Sequence, residues 1–353
     1  MSLIYILAAI LIFGVLVATH ELGHFLAAKL CGVRVNEFSI GMGPLLWHKE
    51  TEETQYSLRL LPIGGFCAME GEDEDTGDRR SFVRQGFWKK LLILSAGALM
   101  NFLTGCVILL VLFAGASGFY VDRIAGFAEG FPLEGEDGLM VGDLIYKIDG
   151  YRTYIRGDAS LFLQYNDGRG VDLEVIRNGE KIVLKDFPMV RATYDGQPGR
   201  FGLSVGAYMV PATLLTKIQY AWYQALDFVQ LVRFSLVQLV TGNAGMKDLS
   251  GPVGIVSTIT EVGRTSKTAA IAVENIAYFA ALIAVNLAVM NLLPIPALDG
   301  GRIFFAAVDA VSMLLFRRKV PEKYQAAVNM AGFAVLMGFM LIVTAHDVFK
   351  LFQ

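Results

Sequence analysis

The chain has 353 residues, 54% of them hydrophobic and only 18% charged, with a mean hydropathy of +0.51; soluble domains carry about 25% charged residues, so the deficit points to lipid rather than to a large water-soluble core. A net charge of −3 gives no electrostatic basis for binding nucleic acid. Three cysteines, all within the first 106 residues, exclude a disulfide framework, and the wealth of aromatic and aliphatic side chains excludes disorder.

Four stretches are long and apolar enough to cross a hydrocarbon core about 30 Å thick. They are residues 1–28, a segment within 91–121, 275–298 and 324–345. The first has no basic lead-in and ends in His20-Glu21-x-x-His24, a poor cleavage site, so it reads as a span and not as a signal peptide. Residues 29–90 hold nine Lys or Arg, and Arg302, Arg317, Arg318, Lys319 and Lys323 cluster between the last two spans. Basic loops stay in the cytoplasm. Both termini and the long middle segment are therefore expected outside.

Within the first basic loop, Tyr56, Leu58 and Leu60 alternate with Ser57 and Arg59 until Pro62 stops the pattern. Residues 70–78 are acidic at six of nine positions and read as a solvated loop. In the middle segment, residues 144–148 form a strand pattern closed by Asp149-Gly150. Val171, Leu173 and Val175 alternate with polar residues before Asn178-Gly179, a hairpin turn into 181–184. The run from 138 to 145 resembles the PDZ signature of bacterial periplasmic proteases, which implies a peptide-docking or size-filtering module. Between 211 and 240, Ile218, Trp222, Ala225 and Val229 recur at helical spacing while Lys217, Gln224 and Asp227 fall off that stripe. This predicts an amphipathic helix on the outer membrane surface. A fifth span is the rival reading and would spoil the charge pattern.

Charged groups inside spans cost roughly 2.5–3.5 kcal/mol each, so they are candidates for function. His20 and His24 are one helical turn apart and can reach one ion. Zinc accepts imidazole nitrogen and, where catalytic, keeps a position for water; Glu21 could take that water's proton. Catalytic zinc needs a third protein ligand. Leu30 stands where a metzincin has its third histidine. Glu37 is the nearest carboxylate downstream. Asp299 is the stronger candidate, because spans of alternating direction bring the ends of the first and third to one side. Pro294 and Pro296 break the helix beside Asp299, and irregular backbone at membrane depth lines a cavity or is buried in protein. His48 and His346 have no partner at ligand spacing and read as surface residues.

Two motifs, His20-Glu-x-x-His24 and Asn-x-x-Pro-x-Pro-x-Leu-Asp-Gly at 291–300, resemble those of the site-2 protease family of intramembrane zinc metalloproteases. The likeness is to the bacterial RseP/RasP-like branch with one PDZ domain. Smaller matches are Phe87-Trp88-Lys-Lys90, Ser95-Ala-Gly-Ala-Leu-Met-Asn101 and Ser250-Gly-Pro-Val-Gly254. The resemblance implies Zn2+ held by His20, His24 and Asp299, Glu21 as catalytic base, and Asn291 steadying substrate backbone with Asn286 as helper. It also implies a membrane-associated β-element in the first loop, placed at residues 56–60, that offers an edge to substrate.

The expected fold is an α-helical membrane protein with four transmembrane helices, an inserted extracytoplasmic PDZ-like β-rich domain and an outer-surface amphipathic helix. Its parts are a zinc-motif helix (1–28), a cytoplasmic loop (29–90), a second helix (91–118) and the PDZ-like domain (119–207). There follow the amphipathic helix and linker (208–272), a third helix (273–300), a cytoplasmic loop (301–323) and a fourth helix with tail (324–353). The expected activity is hydrolysis of peptide bonds within single-pass transmembrane segments, such as anti-sigma factors or signal-peptide remnants. The expected setting is the bilayer of a bacterial plasma membrane, downstream of a site-1-type protease. Two alternatives remain open from the residues alone. One is a membrane-anchored zinc protease for soluble or misfolded proteins using Glu37; the other is a transporter with a buried metal or proton path.

Overall fold

The computed structural model describes residues 2–72, 74–165, 170–189, 191–194, 197–243, 245, 250–318 and 322–350. In chain order the first elements are α1 (Ser2–Cys31), β1 (Val35–Glu50), β2 (Gln55–Met69) and α2 (Phe87–Phe113). Then come β3 (Gly118–Phe127), β4 (Leu144–Ile148), β5 (Tyr151–Arg152), α3 (Asp158–Gln164), β6 (Val171–Arg177) and β7 (Glu180–Phe187). The rest are β8 (Ala192–Tyr194), β9 (Gln197–Arg200), β10 (Leu203–Pro211), α4 (Leu214–Val240), α5 (Pro252–Thr265), α6 (Ala269–Leu292), α7 (Asp299–Phe316) and α8 (Glu322–Lys350). Contacts divide them into two units, residues 1–108 with 232–353, and residues 109–231.

In the first unit four helices are long and apolar enough to cross a membrane: Leu3–Cys31, Phe87–Phe113, Ala269–Leu292 and Tyr324–Lys350. Lipid is as apolar as leucine, so such helices associate by close packing of small residues rather than by hydrophobic burial. The glycines show it. A Cβ on Gly263 of α5 would strike the Tyr5 ring of α1, and one on Gly105 of α2 would strike Val285 of α6. Ala9, Leu16, Ile259, Ile283 and Ala284 form the buried contact of α1, α5 and α6. α1 ends by a Schellman-type turn: Gly32 takes φ 76° and the Val33 N–H reaches back to the Ala28 carbonyl at 2.9 Å.

β1 and β2 pair antiparallel with repeated shifts of register. Residues 38–40 are matched both by 65–67 and by 56–58, so the start of β1 lies between the two halves of β2. Pro62 does not stop the strand as the alternation predicts. It falls among the register shifts, where a residue without an N–H costs the ladder nothing, and β2 runs on to Met69. Ile40, Met42, Leu45, Leu46, Trp47, Leu58, Leu60 and Leu61 are exposed, an apolar surface on the β-element.

Three loop readings need correction. Residues 301–323 contain α7, a helix built on an apolar stripe that short length hid among flanking arginines. The linker within 208–272 contains α5, begun by Pro252 at a position where proline's missing N–H is harmless. The acidic loop is tied down: Glu72 pairs with Arg302, Asp75 with Arg84 at 2.7 Å, and Glu70 accepts from Asn36 at 2.8 Å. Asp73 lies outside the described residues.

The second unit is sheet-rich. Its main sheet has the order β10-β3-β4-β6-β7, with β5 on β4. Asn178 and Gly179 both take positive φ, 52° and 87°, the turn that joins β6 to β7 in register. α4 is not among the helices apolar enough to span. Within this unit it buries Ala221, Ala225 and Phe228 while Leu214, Leu215, Ile218 and Trp222 stay exposed.

Candidate metal centre and catalytic site

α1 frames the site. His20 and His24 share a helix face, with ring centroids 4.7 Å apart and Nε2 atoms 3.1 Å apart. The third group arrives from the far end of the chain. α6 stops at Leu292 because Pro294 and Pro296 cannot continue the ladder. The backbone then turns through the Ile295 N–H to the Leu293 carbonyl at 2.7 Å, with Ala297 held at φ 73°. Gly300 and Gly301 let α7 start against that turn; a Cβ on either would strike the carbonyls of Leu292, Leu293 or Ile295. Asp299, the first residue of α7, thereby brings Oδ2 to 3.1 Å from His20 Nε2 and 3.3 Å from His24 Nε2.

Among the described residues, these three are the metal-ligating side chains that converge. Their spacing fits zinc: bonds of about 2.0–2.1 Å in a tetrahedron place ligand atoms about 3.3 Å apart. Their chemistry fits as well. His24 Nδ1–H donates to the Ile93 carbonyl at 2.8 Å, which leaves Nε2 as the nitrogen turned towards the others and free to ligate. Asp299 Oδ2 is buried and receives no hydrogen bond. Buried oxygen without a donor is costly, and a cation at the centre of the triangle relieves it. Side-chain exposures of 13% for His20, 8% for His24 and 17% for Asp299 leave a narrow approach for water.

Glu21 stands beside this triangle. Its carboxylate takes the backbone N–H of Cys67, and it lies in the field of both histidines and Asp299. Gly65 is a neighbour: a Cβ there would lie in ordinary van der Waals contact, 3.6 Å from Glu21 Cγ. The β-element segment at the site is therefore residues 65–69, and not residues 56–60 as the alternation suggested. Those five residues pair with β1 on one side, and among the described residues no strand pairs on the other. The Cys67 thiol does not converge with the three; burial, then the charges of Glu21 and Glu72, push it up to about 12.

Glu37 is elsewhere. Its Oε1 accepts from Ser57 at 2.5 Å and from Arg59 at 2.8 Å inside the β-element. Burial raises its carboxyl, but Ser57 and Arg59 outweigh that and hold it below the usual carboxylate range. Glu37 is thus engaged by side chains within the β-element, and Asp299 is the carboxylate that reaches the histidine pair. Asn291 is half-buried in the last turn of α6 and Asn286 is exposed. Five residues apart, they stand about 140° apart around the helix and do not share a face. His48 is exposed as expected, but His346 is half-buried with its Nδ1 enclosed. Sequence reasoning missed the Ile93 carbonyl and the Cys67 N–H, since backbone groups carry no residue-type signal.

The model of peptidase family M50 matches residues 8–339. A Clostridium perfringens protein that carries a zinc-metalloprotease name is 37% identical over 346 residues, 98% of each chain. Zinc metalloprotease RasP of Shouchella clausii is 29% identical over 433 positions, covering 99% of both. The regulator of sigma-W protease RasP of Bacillus subtilis is 28% identical, covering 98% of this chain and 99% of its own. A transporter would share neither the family nor these relatives. The chain belongs to peptidase family M50, the site-2 proteases, and is a zinc metalloprotease.

Proposed function

We propose that this protein hydrolyses peptide bonds within the transmembrane segments of single-pass membrane proteins, with His20, His24 and Asp299 holding zinc and Glu21 as the base. One observation carries the reading: His20, Glu21 and His24 lie inside Leu3–Cys31, a helix long and apolar enough to span. A helical substrate hides its carbonyls in hydrogen bonds, and unpaired backbone groups in lipid cost several kcal/mol each, so it must unwind where something replaces those bonds. The edge of residues 65–69, which pairs with no second described strand and whose Cys67 and Met69 N–H groups now go to Glu21 and Glu72, supplies replacements by strand addition. Asn291 adds a side-chain contact from the end of α6, and Asn286, on another face of that helix, does not join it.

When bound, zinc polarises the scissile carbonyl and makes water a competent nucleophile. Glu21 accepts the water's proton, held in place by the Cys67 N–H, and passes it to the leaving amine. The ordinary setting is a bacterial plasma membrane with both termini extracytoplasmic. Residues 119–207 act there as a PDZ-like filter, admitting substrates already trimmed by a site-1-type protease. Anti-sigma factors and signal-peptide remnants fit that chemistry, and the Bacillus subtilis relative is named for sigma-W.

The test is cleavage of a single-span reporter in liposomes, with and without a zinc chelator. Chelator-sensitive cuts inside the span, absent in Glu21→Gln, are expected. Cuts confined to soluble segments would overturn the intramembrane reading.

A further inference from the structure

We propose that one face of α2, carrying Ile93, Gly97 and Asn101, is a positioning surface that sets how tightly the histidine pair holds its metal. The three residues are four apart, so they line a single face. Each meets residues 19–24 of α1 by a different device. The Ile93 carbonyl takes the Nδ1–H of His24 at 2.8 Å. Gly97 supplies absence: a Cβ there would stand within 3.0 Å of His24 Nε2 and of Cε1 and Nδ1 of His20. Asn101, 1% exposed, brings Oδ1 to 3.2 Å from the Thr19 hydroxyl, one residue before His20, and shares that hydroxyl's hydrogen with the Leu16 carbonyl at 3.0 Å.

The fit is reciprocal. On α1, Gly23 admits α2, because a Cβ there would run into the Ala96 carbonyl and lie 2.8 Å from Met100 Cγ. Two glycines, one on each helix, therefore let the backbones close until the imidazoles lie over Gly97. The histidines are not held alike. His24 has a partner for its second nitrogen, whereas His20 Nδ1 is buried with none. Ligating histidines are ordinarily oriented through that second nitrogen. For His20 the orientation falls instead to shape, the notch at Gly97, with the shared Thr19–Asn101 contact one residue away. Gly97 and Asn101 lie in the smaller match at 95–101, outside both zinc-site motifs; the role argued for them follows from the helix contact.

The inference rests on His20 and His24 being the ligands, and its test separates the two ideas. The full-length chain in detergent is titrated with zinc against a chelating dye, and its Co2+ form is read by visible absorption. Gly97→Ala is expected to lose about 10- to 100-fold in zinc affinity, the usual effect of disturbing groups behind a metal ligand. Its cobalt bands should change while the metal-free protein melts as the native chain does, which a merely structural role would not produce. Thr19→Val with Asn101→Ala should lose less, about tenfold, and Ser95→Ala, whose hydroxyl bonds its own helix, nothing.

If His24→Ala binds zinc like the native chain, the ligand assignment is wrong. If His24→Ala fails to bind but Gly97→Ala keeps native affinity and spectrum, the role of α2 is overturned. Should Gly97→Ala not fold, the Thr19→Val, Asn101→Ala pair decides, and native affinity there overturns the proposal.

Discussion

Buried carboxylates are satisfied by neighbouring donors in both units, Asp347 of the first by the Gly251 and Gly254 N–H groups at 2.8 Å, and Asp299 departs from that pattern. In the second unit Asp122 takes the N–H groups of Gly157 and Ala159 at 2.9–3.1 Å, and Asp158 takes those of Tyr154 and Ile155. Asp143 is gripped by Arg177 through two bonds of 2.8 Å and by the Met140 N–H at 2.9 Å. These acids cap turns and join strands. In the first unit Asp299 Oδ2 has no donor and faces two histidine nitrogens. A satisfied buried acid is architecture, while an unsatisfied one is waiting for a ligand. The contrast can be broken or sharpened by substitution.

The largest expected effect is on Asp299. Asp299→Ala should abolish zinc binding and activity together while the helices keep their circular dichroism; retained stoichiometric zinc would erase the distinction. Glu21→Gln should keep zinc and lose about 10²–10⁴-fold in turnover, the range for a general base. Zinc content and reporter cleavage on one preparation measure both. Asp143→Ala should do the reverse. It strands a nearly buried Arg177, costs about 3–5 kcal/mol of stability in the sheet-rich unit, and leaves zinc content alone. Thermal unfolding followed beside metal analysis would detect it.

Asp227 on α4 is the second unit's exception. Burial, then the Asp158 carboxylate, push it from 3.8 up to about 8. Between those values the folded unit holds a proton that the unfolded chain has released, so stability falls as pH rises through the window. Asp227→Asn, neutral throughout, should flatten that fall and stabilise the unit by about 1–3 kcal/mol at pH 8. An unchanged slope would show that the pair does not face a common interior. The smallest effect belongs to Glu37→Gln. It loosens Arg59 in the β-element by about 1 kcal/mol and leaves zinc in place, which is also the sharpest way to dismiss Glu37 as a ligand.

Much of this was legible along the chain. Spans appear as runs of apolar residues because lipid demands about 20 of them without interruption. His20 and His24 are recognisable as a pair because helical period is local. The Asn-Gly turn after β6 is legible for the same reason, since positive φ at two adjacent positions selects those residues. Local periodicity, however, missed α5 and α7, whose short apolar stripes sit among charges and prolines. It misplaced the β-segment at the site as well, since alternation marks a strand but not the edge it presents.

The membrane class, the family to which the motifs belong and a histidine pair at metal-ligand spacing were thus readable along the chain alone. Those signals are repeats and spacings, readable within a few turns of chain. The folded chain is what puts Asp299 and not Glu37 beside the histidines, sets Gly65 and Cys67 against Glu21, and lays His20 and His24 over Gly97. The physical reason is common to all three. Convergence of distant segments depends on how closely backbones approach and which buried groups find partners, and neither is written in any one segment.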